Sequence, residues 1–218
     1  RLDVLLFDIQ DVGVRFYTYL YTMSLSMAAC AEASVPFVVL DRPNPLGGIE
    51  VEGNVLDPEF ASFVGLYPIP VRYGLTTGEL ARLFNEEFGI GAELHVVDMQ
   101  GWRRAMLWQD TGLVWVPPSP NMPTMDTVNV YPGMCFFEGT NVSEGRGTTR
   151  PFEQVGAPWI DAFDLTDRLN ALKLPGAAFR PVFFRTAFGK YESQTCRGVQ
   201  LHATPGVPFQ PVRCGFEA

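Results

Sequence analysis

The part of the sequence with the highest density of chemically useful side chains is residues 138–150, which read E-G-T-N-V-S-E-G-R-G-T-T-R. No apolar residue recurs in it with the period of a helix or a strand. Its glycines permit an irregular backbone, so these side chains are expected on a loop. Apolar residues flank the segment on both sides, which favours a ligand-binding loop held on a scaffold over the alternative of a solvated linker. The candidate ligand-binding residues of this segment, which we call the polar loop, are Glu138, Thr140, Asn141, Glu144, Arg146 and Arg150.

Three shorter polar segments carry side chains of the same kinds. Carboxylates, amides and arginines together hydrogen-bond sugar hydroxyls and amide groups, and an arginine also binds a carboxylate in bidentate geometry. This mixture favours a carbohydrate ligand, with Trp102 among the candidate apolar faces for a sugar ring, although tryptophan is more often a core residue. The further candidate substrate-binding residues are Asp8, Gln10, Asp11, Asp41, Arg42, Asn44 and Asn121.

Several of these residues have a structural alternative. Asp41 and Arg42 are adjacent and are equally well explained as an ion pair at the end of a strand. Either Asp8 or Asp11 is expected to cap a helix that begins near Arg15.

Hydrolysis of a glycosidic bond needs two carboxyl groups, one protonated and one ionised. Glu52 and Glu144 are the candidate catalytic residues. Glu52 lies between Val51 and Gly53, so desolvation is expected to favour its acid form. Hydrolases with a serine nucleophile are disfavoured, because the sequence contains no Gly-x-Ser-x-Gly motif.

Composition excludes several function classes. The chain of 218 residues has a formal charge of −8 and a pI near 4.8, which argues against a nucleic-acid partner. No run of 18 apolar residues occurs, so no membrane span is predicted. Four dispersed cysteines and two histidines predict no metal site. Each cysteine is typical of a small buried hydrophobe, and a bridge between Cys196 and Cys214 is the alternative.

The first hundred residues read as an α/β unit. Apolar strands are predicted at residues 4–7, 37–40 and 94–97, with a crossover helix at 15–33 between the first two, which makes the sheet parallel. Thr76 and Glu79 form a capping box for a helix to about Phe88. Ligands of open α/β sheets bind at the carboxyl ends of the strands, and both faces of such a sheet are expected to be covered. The glycines near residue 90 follow a helix and lack the dinucleotide fingerprint, so no cofactor is predicted.

After Gly101 the sequence becomes richer in Trp, Pro and Gly, and its predicted elements become shorter. This change predicts a boundary between residues 1–100, a Rossmann-like subdomain, and residues 101–218, a second and smaller α/β subdomain. Helices are predicted at residues 123–137 and from a cap at Asp164 to about Leu172, and strands at residues 179–184 and 198–203. The chain begins directly on a strand without a signal peptide, so we expect it to start inside a domain and to be truncated at its end as well.

Several of these segments, taken together, resemble a known family. They include FDIQDVGVRFYTY, VVLDRPNPLGG, VEGNVLDP and YPGMCFFEGTNVSEGRGTTRPFEQVGAPWID. They resemble the NamZ-type exo-β-N-acetylmuramidases, glycoside hydrolase family 171. The resemblance implies a Rossmann-like subdomain joined to a smaller α/β subdomain with the active site between them. It also implies release of N-acetylmuramic acid from the non-reducing ends of peptidoglycan fragments, and a periplasmic or secreted location.

The resemblance also implies roles for individual residues. One catalytic glutamate of the family lies in an upstream Glu-His-Gly stretch that this sequence does not contain. Glu52 matches the second functional carboxylate, and the family pattern places Asn141, Glu144, Arg146 and Arg150 in contact with the sugar or its lactyl group. Tyr73 is a departure, because relatives commonly have histidine there.

These observations predict an exo-acting glycosidase of peptidoglycan-derived saccharides. The alternative is a non-catalytic cell-wall sugar-binding protein that uses the same cleft, and a weaker third reading is an oxidoreductase built on the Rossmann-like half. N-acetylmuramic acid carries a lactyl carboxylate, which suits an arginine fork, so Arg146 or Arg150 is predicted to bind it.

Overall fold

The computed structural model describes residues 2–218, which form two compact units. The first unit ends at Val114 and the second is Trp115–Ala218. The change in composition near Gly101 comes before this end of the first unit, because the residues that follow Gly101 still pack onto the first unit. Gly48 donates its backbone N–H to the carbonyl of Arg104 at 2.8 Å, and Trp108 donates to Pro45 at 3.3 Å.

The first unit contains the predicted parallel sheet. Its elements are β1 (Leu5–Phe7), α1 (Tyr19–Ala33), β2 (Phe37–Leu40), β3 (Glu52–Val55), β4 (Pro70–Arg72), α2 (Thr77–Glu86) and β5 (Leu94–Val97), with 3-10 turns at Pro58–Phe60 and Trp108–Thr111. The strand order is β1-β2-β5 with all pairs parallel. The strands β3 and β4 form a separate antiparallel ribbon. The α/β class is therefore confirmed.

Helix α1 begins later than its apolar pattern suggested. Its N-cap is Thr18, whose side chain makes no capping hydrogen bond. The prediction that Asp8 or Asp11 caps this helix is wrong, because the chain makes a further turn between them and the helix. By contrast, the capping box of α2 is confirmed: Thr76 accepts from the N–H of Glu79, whose carboxylate accepts from the N–H of Thr76.

The core of the first unit lies on one face of the sheet. Side chains of the strands pack there against α1 and α2, and the buried cluster includes Phe7, Leu20, Tyr21, Met23, Met27, Phe37, Tyr73, Leu80 and Phe84. On the opposite face Leu6 is 59% exposed and Val97 is 54% exposed. The expectation that helices cover both faces is therefore wrong for the described part of the chain, because α1 and α2 share one face.

The second unit is built on an antiparallel sheet with the order β6-β8-β7. Its elements are α3 (Met125–Met134), a 3-10 helix (Cys135–Gly139), β6 (Gln154–Ala157), α4 (Ala162–Ala171), β7 (Ala177–Arg185), β8 (Thr195–Ala203) and α5 (Pro211–Glu217). The cap of α4 is Asp161, which accepts from the N–H groups of Phe163 and Asp164, so the prediction of a cap at Asp164 is wrong. All four cysteines are buried free thiols.

Of the helices in residues 2–218, none has the length and apolar character that a membrane crossing requires.

Helices α3 and α5 meet backbone to backbone at two glycines. A Cβ atom on Gly133 would lie 1.9 Å from the carbonyl oxygen of Pro211, and one on Gly215 would lie 2.3 Å from the carbonyl oxygen of Gly133. Both distances are far inside van der Waals contact. The absence of a side chain at both positions is therefore what allows the two helices to touch.

We predict that Gly133→Ala lowers the free energy of unfolding by about 3 kcal/mol, because a methyl group at this contact forces the helices apart. Urea denaturation followed by circular dichroism measures the change. Gly139→Ala is the matched control, since a Cβ atom there has no neighbour within 4 Å. Equal stabilities of the two variants would contradict the close contact.

Candidate functional site

In the first unit, a cleft of about 590 Å³ opens at the carboxyl ends of β1 and β2. Its lining includes Asp8, Asp41, Arg42, Trp102 and Leu113. We call it the strand-end cleft. Parallel strands end at the same edge of a sheet, and this explains why Asp8 and Arg42, 34 positions apart in the sequence, reach one cleft. Three of the predicted substrate-binding residues therefore lie together.

Arg42 pairs with Asp8, so the ion pair joins two strands. The Nε and Nη2 atoms of Arg42 lie 2.7 and 2.6 Å from one carboxylate oxygen of Asp8. Both side chains are partly exposed, with 37% and 50% of their surface accessible. The alternative that Arg42 forms an ion pair with its neighbour Asp41 is wrong, because Asp41 has other partners.

Asp41 faces the N-terminus of α2. Its carboxylate accepts from Thr76 Oγ1 at 2.9 Å and from the N–H of Gly78 at 2.7 Å. Desolvation by burial raises the pKa of Asp41, and these hydrogen bonds oppose the rise. The first N–H groups of a helix have no intrahelical acceptor, so Asp41 satisfies one of them and fixes α2 to the end of β2.

Asp11 is buried beneath the turn that follows β1. It accepts from the N–H of Gly13 at 2.8 Å and from the hydroxyl of Tyr73. Desolvation by burial raises the pKa of Asp11 to about 6, although the hydrogen bonds oppose the rise. Burial also raises the pKa of Tyr73 well above its usual range. The protonation of Asp11 is therefore expected to change at mildly acidic pH, but Asp11 is only 6% exposed.

Gln10 and Asn44 brace the backbone of the same region. Gln10 Nε2 donates to the carbonyls of Asp11 and Pro43, at 2.7 and 3.0 Å. Asn44 is buried, and its amide donates to the carbonyl of Leu75 and accepts from the N–H of Leu46, each at 2.9 Å. The fold uses both sides of the Asn44 amide and the N–H groups of Gln10, whereas the buried Oε1 of Gln10 has no hydrogen-bond partner among the described residues.

Glu52 lies on β3 directly opposite Arg72 on β4. Arg72 Nη1 donates to Glu52 Oε1 at 2.8 Å, and Arg72 Nη2 donates to the carbonyl of Leu46 at 2.6 Å. The two side chains are only 13% and 9% exposed. Val51, its neighbour in the sequence, is 57% exposed. Glu52 is thus a largely buried member of an ion pair with Arg72, and its expected acid form stays a prediction.

In the second unit, Arg146 organises the polar loop. Its Nε and Nη2 atoms lie 2.7 and 2.6 Å from Glu138 Oε1, and its Nε lies 3.8 Å from Glu144 Oε1. Its guanidinium also covers the ring of Phe152, with 4.8 Å between Cζ and the ring centroid. Arg146 therefore connects two parts of the polar loop, at Glu138 and at Glu144.

Lys190 contacts the polar loop, and sequence reasoning did not single it out. Its ammonium donates to the carbonyls of Phe137, Glu138 and Val142 at 2.7, 3.1 and 3.0 Å, and it lies 3.0 Å from Glu144 Oε2. All three N–H groups go to carbonyls, so its attraction for Glu144 is electrostatic without a hydrogen bond. Lys190 lies in the turn between β7 and β8, and no spacing in the sequence relates it to the loop.

The remaining predicted residues of this unit have local roles. Thr140 donates to the carbonyl of Phe137 and accepts from the N–H of Val142. Asn141 is exposed, and its carbonyl accepts from the hydroxyl of Tyr191. Asn121 is half-buried in the turn before α3.

Arg150 donates to Glu153 at 3.1 Å, and 47% of its side chain is exposed. The structure thus groups Glu138, Glu144 and Arg146 in one unit and Asp8, Asp41 and Arg42 in the other. The predicted convergence of the two groups on one cleft stays a prediction.

We predict that Asp11→Asn becomes more stable relative to the natural protein as the pH rises from about 4 to 6. A folded pKa above the unfolded value of 3.8 means that the protonated carboxyl favours folding. This contribution is complete below pH 3.8 and is lost as the pH rises through about 6, and two pKa units correspond to about 3 kcal/mol. Urea denaturation at several pH values measures it.

Asp3→Asn is the control for this experiment, because Asp3 is exposed. Its stability is expected to follow that of the natural protein throughout. A difference between Asp11→Asn and the natural protein that stays constant with pH would contradict the burial of an ionisable group there.

Comparisons with known proteins place these features in a family. Models of the N-terminal and C-terminal parts of exo-β-N-acetylmuramidase NamZ match residues 1–126 and 129–218. The peptidoglycan β-N-acetylmuramidase NamZ of Bacillus subtilis (strain 168) is 56% identical over 216 residues, which are 99% of this chain and 52% of that protein. The chain thus spans about half the length of this curated relative.

Two solved structures of DUF1343 family proteins from Bacteroides fragilis NCTC 9343 are also similar. One has a TM-score of 0.89 and 41% identity over 97% of this chain and 56% of its own. The other has a TM-score of 0.76 and 36% identity over 91% of this chain and 53% of its own. The family models cover nearly the whole chain, so this chain belongs to the exo-β-N-acetylmuramidase NamZ family.

Proposed function

We propose that the intact protein is a glycoside hydrolase that releases N-acetylmuramic acid from the non-reducing ends of peptidoglycan fragments during cell-wall turnover and recycling. The observation that carries the proposal is the 56% identity, over 99% of this chain, to a peptidoglycan β-N-acetylmuramidase. Both units described here lie inside that match. The predicted exo-acting muramidase therefore remains the best-supported activity.

Glu52 has a fixed orientation, which suits one member of the carboxyl pair. Arg72 holds its carboxyl group at 2.8 Å in a largely buried position. Retaining and inverting glycosidases both need one carboxylate beside the anomeric carbon, as nucleophile or as the base that activates water. We assign this role to Glu52. The protonated partner is then the glutamate of the family's Glu-His-Gly stretch.

The substrate contacts fit a muramic acid unit. Asp8 and Arg42 offer partly exposed hydrogen-bonding groups in the strand-end cleft, where Trp102 supplies an aromatic side chain. The polar loop supplies Arg150, whose side chain is 47% exposed, for a carboxylate. Glu144 is buried against Lys190 and Arg146, which gives it a part in holding the loop, and its catalytic role stays a prediction.

One observation favours the alternative of a non-catalytic sugar-binding protein. Both predicted catalytic carboxylates, Glu52 and Glu144, are engaged in ion pairs. The carboxyl with a pKa near 6, Asp11, is buried away from solvent. A turnover assay on the intact protein separates the two functions, because a binding protein retains affinity for the saccharide without releasing product.

We also propose a periplasmic or secreted location and a Rossmann-like relationship for the first unit. Peptidoglycan lies outside the cytoplasmic membrane, and the parallel order β1-β2-β5 with a crossover helix supports the relationship. Cell fractionation with an antibody against the protein tests the location. Recovery only in the cytoplasmic fraction would rule it out.

We predict that Glu52→Gln lowers kcat on a chromogenic N-acetylmuramide by about 10²- to 10⁴-fold, the usual contribution of an acid–base or nucleophilic group. Glutamine keeps the hydrogen bond to Arg72 but not the charge. Thermal unfolding is measured in parallel to exclude loss of the fold. Glu59→Gln, an exposed carboxylate of the same unit, is the control. Turnover by Glu52→Gln at the natural rate would remove Glu52 from the mechanism.

A further inference from the structure

Glu153 is a buried carboxylate that none of the sequence patterns singled out. Only 2% of its surface is exposed, and it lies in the turn between the polar loop and β6. Burial of a carboxylate costs several kcal/mol unless charges and hydrogen bonds compensate it. Its presence beside a loop rich in arginine therefore needs an explanation from its partners.

Four donors surround the two oxygens of Glu153. Thr127 and Thr124 donate their hydroxyls to Oε1 at 2.7 and 3.3 Å. Arg150 Nη1 and Gln200 Nε2 donate to Oε2 at 3.1 and 3.4 Å. These residues come from α3 and its cap, the polar loop and β8, so the carboxylate is fixed from three directions.

Gln200 belongs to this network because of the way the sheet is covered. Alternation along β8 places Gln200 and Val199 on opposite faces. The face with Val199 packs on α4, and the face with Gln200 packs near Thr127 of α3, which leaves Gln200 only 4% exposed. Arg180 of β7 donates to the Gln200 oxygen, which orients the amide so that its N–H group points to Glu153.

Of the four donors to Glu153, Arg150 is the one whose side chain is exposed. Its side chain is 47% exposed, whereas that of Glu153 is 3% exposed. Glu153 is the one hydrogen-bond partner that the described residues give its guanidinium, which has five N–H groups. Because two threonines and a glutamine also satisfy Glu153, Arg150 keeps most of its donors available. The N–H groups of the Arg150 guanidinium that do not bond to Glu153 can therefore bind a second carboxylate.

Arg146 does not have this freedom. Two of its nitrogens are held by Glu138, and its guanidinium covers the ring of Phe152. Phe152 is fully buried and has a φ of 61°, a strained conformation for a bulky residue. This turn brings Arg150 and Glu153 within contact, and such strain is concentrated at functional sites. The two arginines of the loop are therefore not equivalent.

We propose that Glu153 is a positioning residue that holds Arg150, and that Arg150 binds the lactyl carboxylate of the substrate and so selects muramic acid over glucosamine units. The proposal rests on the proposed function and names the residue pair that determines its specificity. Arg146 then has the separate role of folding the loop.

Calorimetric titration of the intact protein with N-acetylmuramic acid and N-acetylglucosamine tests the proposal. We expect the natural protein to bind the muramic sugar more tightly. Arg150→Ala is expected to remove this preference, and Glu153→Gln to reduce it on the order of tenfold, the worth of one charge-assisted hydrogen bond. The Kd for N-acetylglucosamine should change less than twofold, because that sugar has no carboxylate.

Asp164→Asn is the matched control, because Asp164 forms an exposed pair with Arg168 in the same unit and its loss should leave both Kd values unchanged. Equal weakening of both sugars by Glu153→Gln would show a merely structural role and overturn the proposal. Should Glu153→Gln fail to fold, Arg150→Lys is measured instead. Lysine retains the charge but lacks the further guanidinium N–H groups that would bind the lactyl carboxylate. A preference retained by both Arg150→Lys and Arg150→Ala would also overturn it.

Turnover separates this inference from the proposed function. If the natural protein releases no product from a chromogenic muramide, the proposed function fails while the ratio of Kd values still decides the role of Arg150. If it is active, Glu153→Gln should raise KM for the muramide on the order of tenfold and leave kcat within about threefold. A fall in kcat with an unchanged KM would contradict a role in binding the lactyl group.

Discussion

The polar loop depends on the hydrogen bonds and the charge of the Lys190 ammonium group. An irregular segment has no ladder of backbone hydrogen bonds, so its carbonyls need donors from elsewhere. Lys190 supplies three of them, to Phe137, Glu138 and Val142, and its charge compensates the buried Glu144. Arg146 then ties Glu138 to the same cluster. The loop thus holds its shape because opposite charges around the buried Glu144 fix it, while Arg150 remains exposed.

The first unit applies the same rule at a helix end. Asp41, at the end of β2, accepts from the N–H of Gly78 and the hydroxyl of Thr76, where α2 begins. A side chain on Gly78 would lie 2.8 Å from the Asp41 carboxyl carbon, so the helix can approach only because this position is glycine. In both units a half-buried charge that bonds to backbone groups fixes an irregular segment near a candidate site.

Local patterns predicted the parts of the structure that depend on neighbouring residues. The parallel strands and the capping box at Thr76 follow from apolar runs and spacing, and both were found. Partners distant in the sequence could not be predicted. The pairing of Arg42 with Asp8, the burial of Asp11 against Tyr73 and the support of the loop by Lys190 each depend on tertiary packing. Glu153 was missed because its partners are dispersed between Thr124 and Gln200.

The glycine contact between α3 and α5 has a consequence for how this family can vary. A side chain on Gly133 or on Gly215 would collide with the backbone of the other helix. A larger residue at either position therefore requires that helix to move. The two positions are therefore expected to change together across relatives. The 3-10 helix that leads into the polar loop directly follows α3, so a movement of α3 would also shift the loop. Changes at Gly133 and Gly215 would then alter the substrate contacts of the loop, although neither residue itself touches substrate.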